Sequence, residues 1–369
     1  MFFQRRMTRR VMVGPVAIGG GEPVRLQSMT STPTHDIEAT AGQIRRLVEA
    51  GCELVRVAVP EPRDTAALPE LIRQSPVPIV ADVHFHYQRA LEAVAAGVHK
   101  IRLNPGNIQD RKQIERVIHA CRDAGIPIRI GVNEGSVVER REATARADEL
   151  RWLMADRRGA LIDLMVRKLE EYIRLFEANG FYDLVLAAKS HDAAVVIEAY
   201  RALGKRFDFP LHLGVTHAGP PETGRIRSVA ALGTLLAEGI GDTIRISYAA
   251  DPVEEVLDGK ELLCSLGLRP RNEPELIACP TCGRIEVDLV DLVGRVRAKL
   301  AEIKAPLKVA VMGCAVNGPG ECEGADVAIF AGRGKGMIYV RGERKRVVNE
   351  AEMLDALLEE CRGLIAKSR

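Results

Sequence analysis

Cysteines 279, 282, 314 and 322 stand where thiolates could do chemistry. The first two lie in Cys-Pro-Thr-Cys-Gly, a tight turn that aims two sulfurs at one point. The other two bracket the run GCAVNGPGEC, where a predicted strand empties into a loop dense in glycine and proline and the backbone can bend closely around an inorganic core. Three chemistries compete. A dithiol redox pair would use the CxxC alone, would need a helix-capping place in a βαβ fold, and would leave Cys314 idle. A structural zinc site would use all four thiolates, but zinc ribbons present two close CxxC pairs, and here seven residues separate the second pair. An iron–sulfur cluster suits three widely supplied thiolates around a cube-shaped core and is the favoured reading. The spacing leaves the fourth ligand open between neighbours. Cys322 would give an all-thiolate cluster, structural or electron-transferring. Glu321 would give one iron a hard oxygen ligand that a substrate oxygen can displace, the open position a catalytic metal requires.

The other four cysteines fit the core. Cys121 and Cys361 share faces with apolar neighbours, Cys264 closes an apolar helix and Cys52 precedes a strand.

A second constellation is cationic. The predicted strand ends carry Arg56, Asp82 with His84, Arg102 with Asn104, Arg129 with Asn133, Lys189, His212 with Thr216 and His217, and Arg245 with Ser247. One such arginine taken alone is as readily a surface ion pair. Several converging on one mouth would repel one another and be poorly solvated, and an anionic ligand resolves both problems. Arginine forks match phosphate oxygens two at a time, so a phosphate or diphosphate is the expected ligand. Asp82 could act as a base or orient an arginine. His84 suits hydrogen bonding to substrate or packing better than a metal pair.

The elements that must position these residues follow from periodicity. Short apolar, β-branched runs alternate with helical patterns from about residue 24 to 268, giving strands at Val24–Ser28, Leu54–Val59, Pro78–Val83, Lys100–Asn104, Ile128–Asn133, Asp183–Ala187, Leu211–Val215 and Thr243–Ser247. Eight βα units of similar spacing predict an α/β fold, a (β/α)8 TIM barrel with its active site at the C-terminal strand ends. An open doubly wound sheet is the alternative, disfavoured because no glycine-rich dinucleotide loop follows the first strand. An extra segment, Gly135–Gly159, holds the single tryptophan, Trp152, and reads as an added helix. The Pro-bearing stretch Leu268–Glu275 reads as a linker, dividing a barrel domain, 1–268, from an α+β domain, 269–369. In the latter, a helix near Asp288–Ile303 precedes strands at Leu307–Met312, Asp326–Ala331, Met337–Arg341 and Arg346–Val348 and a final helix, Glu350–Lys367.

Bulk composition sets limits on partners. The 369 residues are 47% apolar with a formal net charge of +2, which gives no ground for a nucleic-acid or membrane partner. No apolar run suits a signal peptide or a membrane span, so the expected location is the cytoplasm, where cysteines stay reduced.

Several ordered segments, LQSMTSTPTHD, ADVHF, IRLNPGN, IRIGVNEGS, LHLGVT, GIGDTIRIS, DPVEEV, CPTCGR and VAVMGCAVNGPGE, resemble those of the 4-hydroxy-3-methylbut-2-enyl diphosphate synthases of the methylerythritol phosphate pathway, over nearly the whole chain. The resemblance implies a barrel followed by a [4Fe–4S] domain. It implies cluster ligands Cys279, Cys282, Cys314 and Glu321, and substrate-binding residues Arg56, Arg102, Arg129, Asn133 and Lys189, to which the strand-end pattern adds Asp82, His84, Arg245 and Ser247, and the GCAVNGPGE loop adds Asn317. It further implies reduction of 2-C-methyl-D-erythritol 2,4-cyclodiphosphate with single electrons from flavodoxin or ferredoxin, and a homodimer in which the cluster domain of one subunit caps the barrel of the other. Two positions depart from the family pattern. His217 stands where a Glu usually follows LGVT, so a histidine would have to donate or relay the proton, with Glu321 the other catalytic candidate. Cys322 stands where the family has a small residue without a thiol. A phosphate-binding barrel, or a lyase or transferase of the pteroate-synthase sort, with a structural zinc module is the alternative.

Overall fold

The computed structural model describes residues 4–84, 86–104, 107, 108, 110–137, 157–314, 320 and 324–368, which form two compact units, 1–269 and 270–369. Trp152 and most of the extra segment lie outside the described residues.

In the first unit, a short antiparallel hairpin, β1 (Val11–Val13) and β2 (Val16–Ile18), precedes eight parallel strands. These are β3 (Arg25–Met29), β4 (Leu54–Ala58), β5 (Ile79–Val83), β6 (Lys100–Leu103), β7 (Ile128–Asn133), β8 (Leu184–Lys189), β9 (His212–Leu213) and β10 (Thr243–Ile244). Their order is β8-β7-β6-β5-β4-β3-β10-β9, and a parallel bridge from Leu186 to Leu211 brings the two ends of the sheet together. The result is a nearly closed barrel, which excludes the open sheet.

Side chains alternate along each strand, so each strand shows one face to the helices and one to the lumen. Val55, Val57, Ala81, Val83, Ile101, Leu103, Ile128 and Ile130 belong to a single buried cluster with helix residues such as Ile44, Leu68, Val117 and Ile118. Their alternates are Arg56, Asp82, Lys100, Arg102 and Arg129, polar yet buried. Branched apolar residues usually fill such a lumen. At the N-terminal end of β4 the lining is apolar, where Leu54 packs on Val13 and Ile18 of the hairpin. Further along the strands it is charged.

The second unit is a five-stranded sheet in sequence order. Strands β11 (Glu275–Ala278), β12 (Lys308–Met312) and β13 (Val327–Gly332) run parallel, and β14 (Lys335–Val340) and β15 (Glu343–Asn349) return antiparallel. Helices Leu289–Leu300 and Met353–Ser368 bury Leu292, Val296, Leu357 and Cys361 against Val309, Val311, Val327 and Ile329 of the sheet. On the opposite face Phe330 meets Tyr339 edge-on, with ring centroids 4.7 Å apart.

The structure departs from the sequence reading in three places. The hairpin was not anticipated, because two three-residue runs are too short to show a period. Strand β11 starts at Glu275, inside the stretch read as linker, because parallel pairing with β12 recruits it. Strands β9 and β10 keep regular pairing for two residues each. Among the described residues, no helix is long and apolar enough to cross a membrane.

Candidate functional site

The mouth of the barrel holds one polar cleft. Arg56, Arg102, Arg129, Asn133, Lys189, Arg245 and Ser247 line it, together with Gly131, Ala187, Val215 and Thr216. These residues come from β4, β6, β7 and β8 and from the segments after β9 and β10, so seven of the sequence-predicted binding residues meet at one place. A wider, shallower groove lies elsewhere on this unit, between Arg5–Met7 and Arg201–Lys205, and contains none of them.

Two carboxylates neutralise part of the charge. Asp82 Oδ1 accepts from Arg102 Nη1 at 3.0 Å, and its Oδ2 lies 3.6 Å from Arg56 Nε. Glu255, on the helix Pro252–Ser265, stands 3.4 Å from Arg245 Nη2 and accepts from the Tyr248 backbone N–H at 3.0 Å. Burial alone would raise the Asp82 carboxyl, but the charges of Arg56, Arg102 and Arg129 outweigh it and hold it at about 2. Burial lowers Arg56 to about 10 against the pull of Asp82. Burial first, then the neighbouring guanidiniums, push Arg129 and Lys189 well below their ordinary values. Among the described residues, five cations line the cleft against two carboxylates, a surplus of positive charge. Arg129 Nε and Nη1 are buried with no hydrogen-bond partner among the described residues. Leaving such groups unmet costs about 1–3 kcal/mol each, so the site is poised for an anion.

His84 Nε2 lies 3.0 Å from Arg102 Nη1. A guanidinium only donates, so His84 accepts through Nε2 and is neutral. Burial and the adjacent arginines lower it, against the pull of Asp82. Asp82 and His84 therefore grip the same arginine from one strand end. The lining reaches Thr216, while His217, the next residue, is exposed in the left-handed region with φ of 52°.

Four residues near the cleft were absent from the sequence-derived site. Met29 Sδ accepts from Arg56 Nε at 3.0 Å and Nη2 at 2.9 Å. Glu255 looked like one more acidic residue on a helix. Lys100 is fully buried in the lumen. His212 was noted at its strand end but given no role. Its strand context was the available signal, since inward positions two apart on a barrel strand face the same lumen.

In the second unit, β11 and β12 pair in parallel with Ala278 opposite Val311, so Cys279 and Cys314 leave neighbouring strands at the same edge. The Gly313 N–H donates to Cys279 Sγ at 3.2 Å. A Cβ at Gly313 would fall 2.8 Å from Ile285 Cγ2, so the strand end packs too closely on the CxxC turn for any side chain there. Cys282 is exposed, and the backbone N–H and side chain of Arg284 hold its thiol below the ordinary value. A thiolate is thus favoured at Cys282, on an accessible loop edge, which suits a soft, sulfur-bridged metal centre. Among the described residues no three His, Cys, Asp or Glu side chains form a metal-holding group. Glu321, Cys322 and Asn317 lie outside the described residues. Of the remaining cysteines, Cys52, Cys121 and Cys361 are buried and Cys264 is half-buried.

Comparison with known proteins accounts for both units. The GcpE TIM-barrel domain family matches residues 8–260, and the GcpE protein C-terminal domain matches residues 275–363. A 4-hydroxy-3-methylbut-2-en-1-yl diphosphate synthase (flavodoxin) of Bacillus licheniformis is 47% identical over 357 residues, 96% of this chain and 93% of that protein. The one so named from Symbiobacterium thermophilum is 48% identical over the same shares, and that of Bacillus subtilis is 46% identical over 96% and 91%. Among solved structures, a dihydropteroate synthase from Xanthomonas albilineans in complex with 7,8-dihydropteroate matches 70% of this chain and 97% of its own with a TM-score of 0.50. At 18% identity that likeness speaks for the barrel fold alone. Matched by the family's two domains along nearly its whole length, the chain belongs to the GcpE family.

Proposed function

We propose that the chain catalyses the reductive ring opening and dehydroxylation of 2-C-methyl-D-erythritol 2,4-cyclodiphosphate to (E)-4-hydroxy-3-methylbut-2-enyl diphosphate, a step of isoprenoid precursor biosynthesis. The observation that carries this reading is the cleft where, among the described residues, five cations converge against two carboxylates. Such a site favours a multiply charged diphosphate over a neutral or singly charged ligand.

In this reading Arg56, Arg102, Arg129, Lys189 and Arg245 hold the diphosphate, while Asn133, Ser247 and Asn317 supply neutral hydrogen bonds. Asp82 and His84 fix the plane of Arg102, so its fork meets the phosphate without first searching rotamers. Cys279, Cys282, Cys314 and Glu321 hold a [4Fe–4S] cluster. When bound, that group supplies electrons singly and a Lewis-acidic iron, which suits removal of an oxygen from carbon better than hydride transfer does. Glu321 and His217 are the candidate proton carriers. Flavodoxin or ferredoxin delivers the two electrons. The working form is a cytoplasmic homodimer in which the cluster domain of one subunit closes the barrel of its partner and keeps water from the reacting carbon.

Anaerobic purification tests the cofactor, and turnover tests the reaction. The protein should be brown, with iron and sulfide at about four each per chain. It should consume the cyclic diphosphate only with a low-potential reductant. A colourless protein with one stoichiometric zinc, or turnover indifferent to reductant, defeats the proposal.

A further inference from the structure

One contact lies beneath the cleft, behind the residues that line it. Lys189 ends β8 with its ammonium nitrogen 3.4 Å from Nε2 of His212, the first residue of β9. His212 is wholly buried, and its Nδ1 lies 2.7 Å from Thr243 Oγ1 on β10. The His212 carbonyl accepts from the Tyr200 hydroxyl, which in turn accepts from the Ala188 N–H at 3.1 Å. One tyrosine therefore ties the backbone of the histidine to the residue preceding the lysine. At Gly214, two residues on, a Cβ would fall 2.8 Å from Lys189 Nζ and 3.0 Å from the Arg245 carbonyl oxygen. The lysine occupies space that this glycine leaves open.

These contacts fix the protonation of the ring. An ammonium has donors and no acceptor, so Nε2 must accept, which places the proton on Nδ1, donating to Thr243 Oγ1. A doubly protonated ring would oppose a donor with a donor and add a charge near Arg129, Lys189, Lys100 and Arg56. Burial and those four cations hold His212 well below its ordinary value.

We propose that His212 is the positioning residue for Lys189: a neutral imidazole that takes one ammonium hydrogen and leaves the other two for the diphosphate. The inference rests on the diphosphate reading of the cleft. A lysine side chain loses rotamer freedom on being fixed. Holding it before the ligand arrives removes that cost from binding. The three-residue line from Lys189 through His212 to Thr243 crosses three adjacent strands, which makes the placement as rigid as the barrel wall.

A double-mutant cycle on the full-length protein separates positioning from simple packing, with inorganic pyrophosphate binding followed by calorimetry and KM and kcat for the cyclic diphosphate in parallel. His212→Leu keeps the volume and removes the acceptor. It should weaken pyrophosphate binding roughly tenfold, the worth of one charge-assisted hydrogen bond, and the loss should fall in KM more than in kcat. His212→Gln, which keeps an amide acceptor, should recover most of it. In a Lys189→Ala background, His212→Leu should cost nothing further, because the group it positions is gone. Thr243→Val, which removes only the anchor of the tautomer, should give a smaller loss that also vanishes in that background. It keeps the test open should His212→Leu fail to fold. An equal loss with and without Lys189 would make His212 a packing element and overturn the inference. Wild-type protein that binds no pyrophosphate would overturn the diphosphate reading, and this inference with it.

Discussion

Asp82 and Arg102 form a buried ion pair at the barrel mouth, with Oδ1 and Nη1 3.0 Å apart. The same carboxylate faces Arg56, so it is the counterion for two guanidiniums that line the cleft. Breaking a buried pair from one side strands the other charge, which costs about 3–5 kcal/mol. Asp82→Asn is expected to lower unfolding stability at pH 7 by about that amount. The pH dependence follows from the depressed carboxyl. Its folded value of about 2 lies below the ordinary 3.8, so the stabilisation is fully present above about pH 4 and drains away as pH falls towards 2. Denaturant curves of wild type and Asp82→Asn should draw closer by about 2 kcal/mol across that window. Curves that stay parallel would remove Asp82 as the source.

The glycine opposite Lys189 gives a prediction that separates binding from folding. An alanine at Gly214 would place its methyl 2.8 Å from the ammonium nitrogen, which can swing away, and 3.0 Å from a backbone oxygen, which has less freedom. Gly214→Ala should therefore displace Lys189 into or out of the cleft with a modest stability cost, about 1–3 kcal/mol as for overpacked sites. KM for the cyclic diphosphate should rise about tenfold, and the melting temperature should fall by a few degrees. A large stability loss with unchanged KM would show that Lys189 keeps its place.

Lys100 presents the opposite balance. It is fully buried, its Nζ has no hydrogen-bond partner among the described residues, and burial with Arg129 and Arg56 lowers it to about 7. The unfolded chain holds that proton up to its ordinary 10.5, so folding grows more favourable as pH rises from about 7 to 10.5. Lys100→Met removes the burden and should raise the melting temperature by several degrees near pH 7, with the gain shrinking towards pH 10. Pyrophosphate affinity should fall in the same variant, because Lys100 adds positive potential beneath the cleft. Stability gained and affinity lost together would mark the residue as retained for binding. A variant no more stable than wild type would mean Lys100 has a partner in solution.

How far the sequence revealed this molecule depended on the range of each signal. Helices such as Arg111–Asp123 and strands such as Ile128–Asn133 declare themselves through local periodicity, and Arg102, Arg129 and Lys189 follow because strand ends of a barrel share one mouth. Strand β11 carries no such pattern in four residues and exists through pairing with β12, some thirty residues on. The role of Glu255 needs the approach of a helix to the segment after β10, a tertiary fact no local window contains. His212 was visible as a strand-end histidine, but its service to Lys189 depends on the neighbouring register of β8 and β9. In the second unit, spacing brings forward Cys279, Cys282 and Cys314 as the proposed ligands, because sulfur spacing is a strong signal. Spacing does not distinguish Glu321 from Cys322, since adjacent residues reach the same volume.

That choice is open to a direct measurement. With Glu321 as fourth ligand, three thiolates still hold the cluster when the carboxylate is removed. Glu321→Ala should retain iron and sulfide near four each per chain, and turnover should fall by at least about a thousandfold, a barrier increase near 4 kcal/mol. Cys322→Ala should keep both cluster and turnover, because a thiol beside the site contributes only an oxidation liability. Cys314→Ser should lose iron outright, since a hydroxyl replaces one of the three thiolates on which assembly depends. If Cys322→Ala abolishes turnover while Glu321→Ala stays active, the fourth ligand is the cysteine. An all-thiolate centre has no displaceable oxygen ligand, so catalysis would then rest on electron transfer to a substrate held entirely by the cationic cleft.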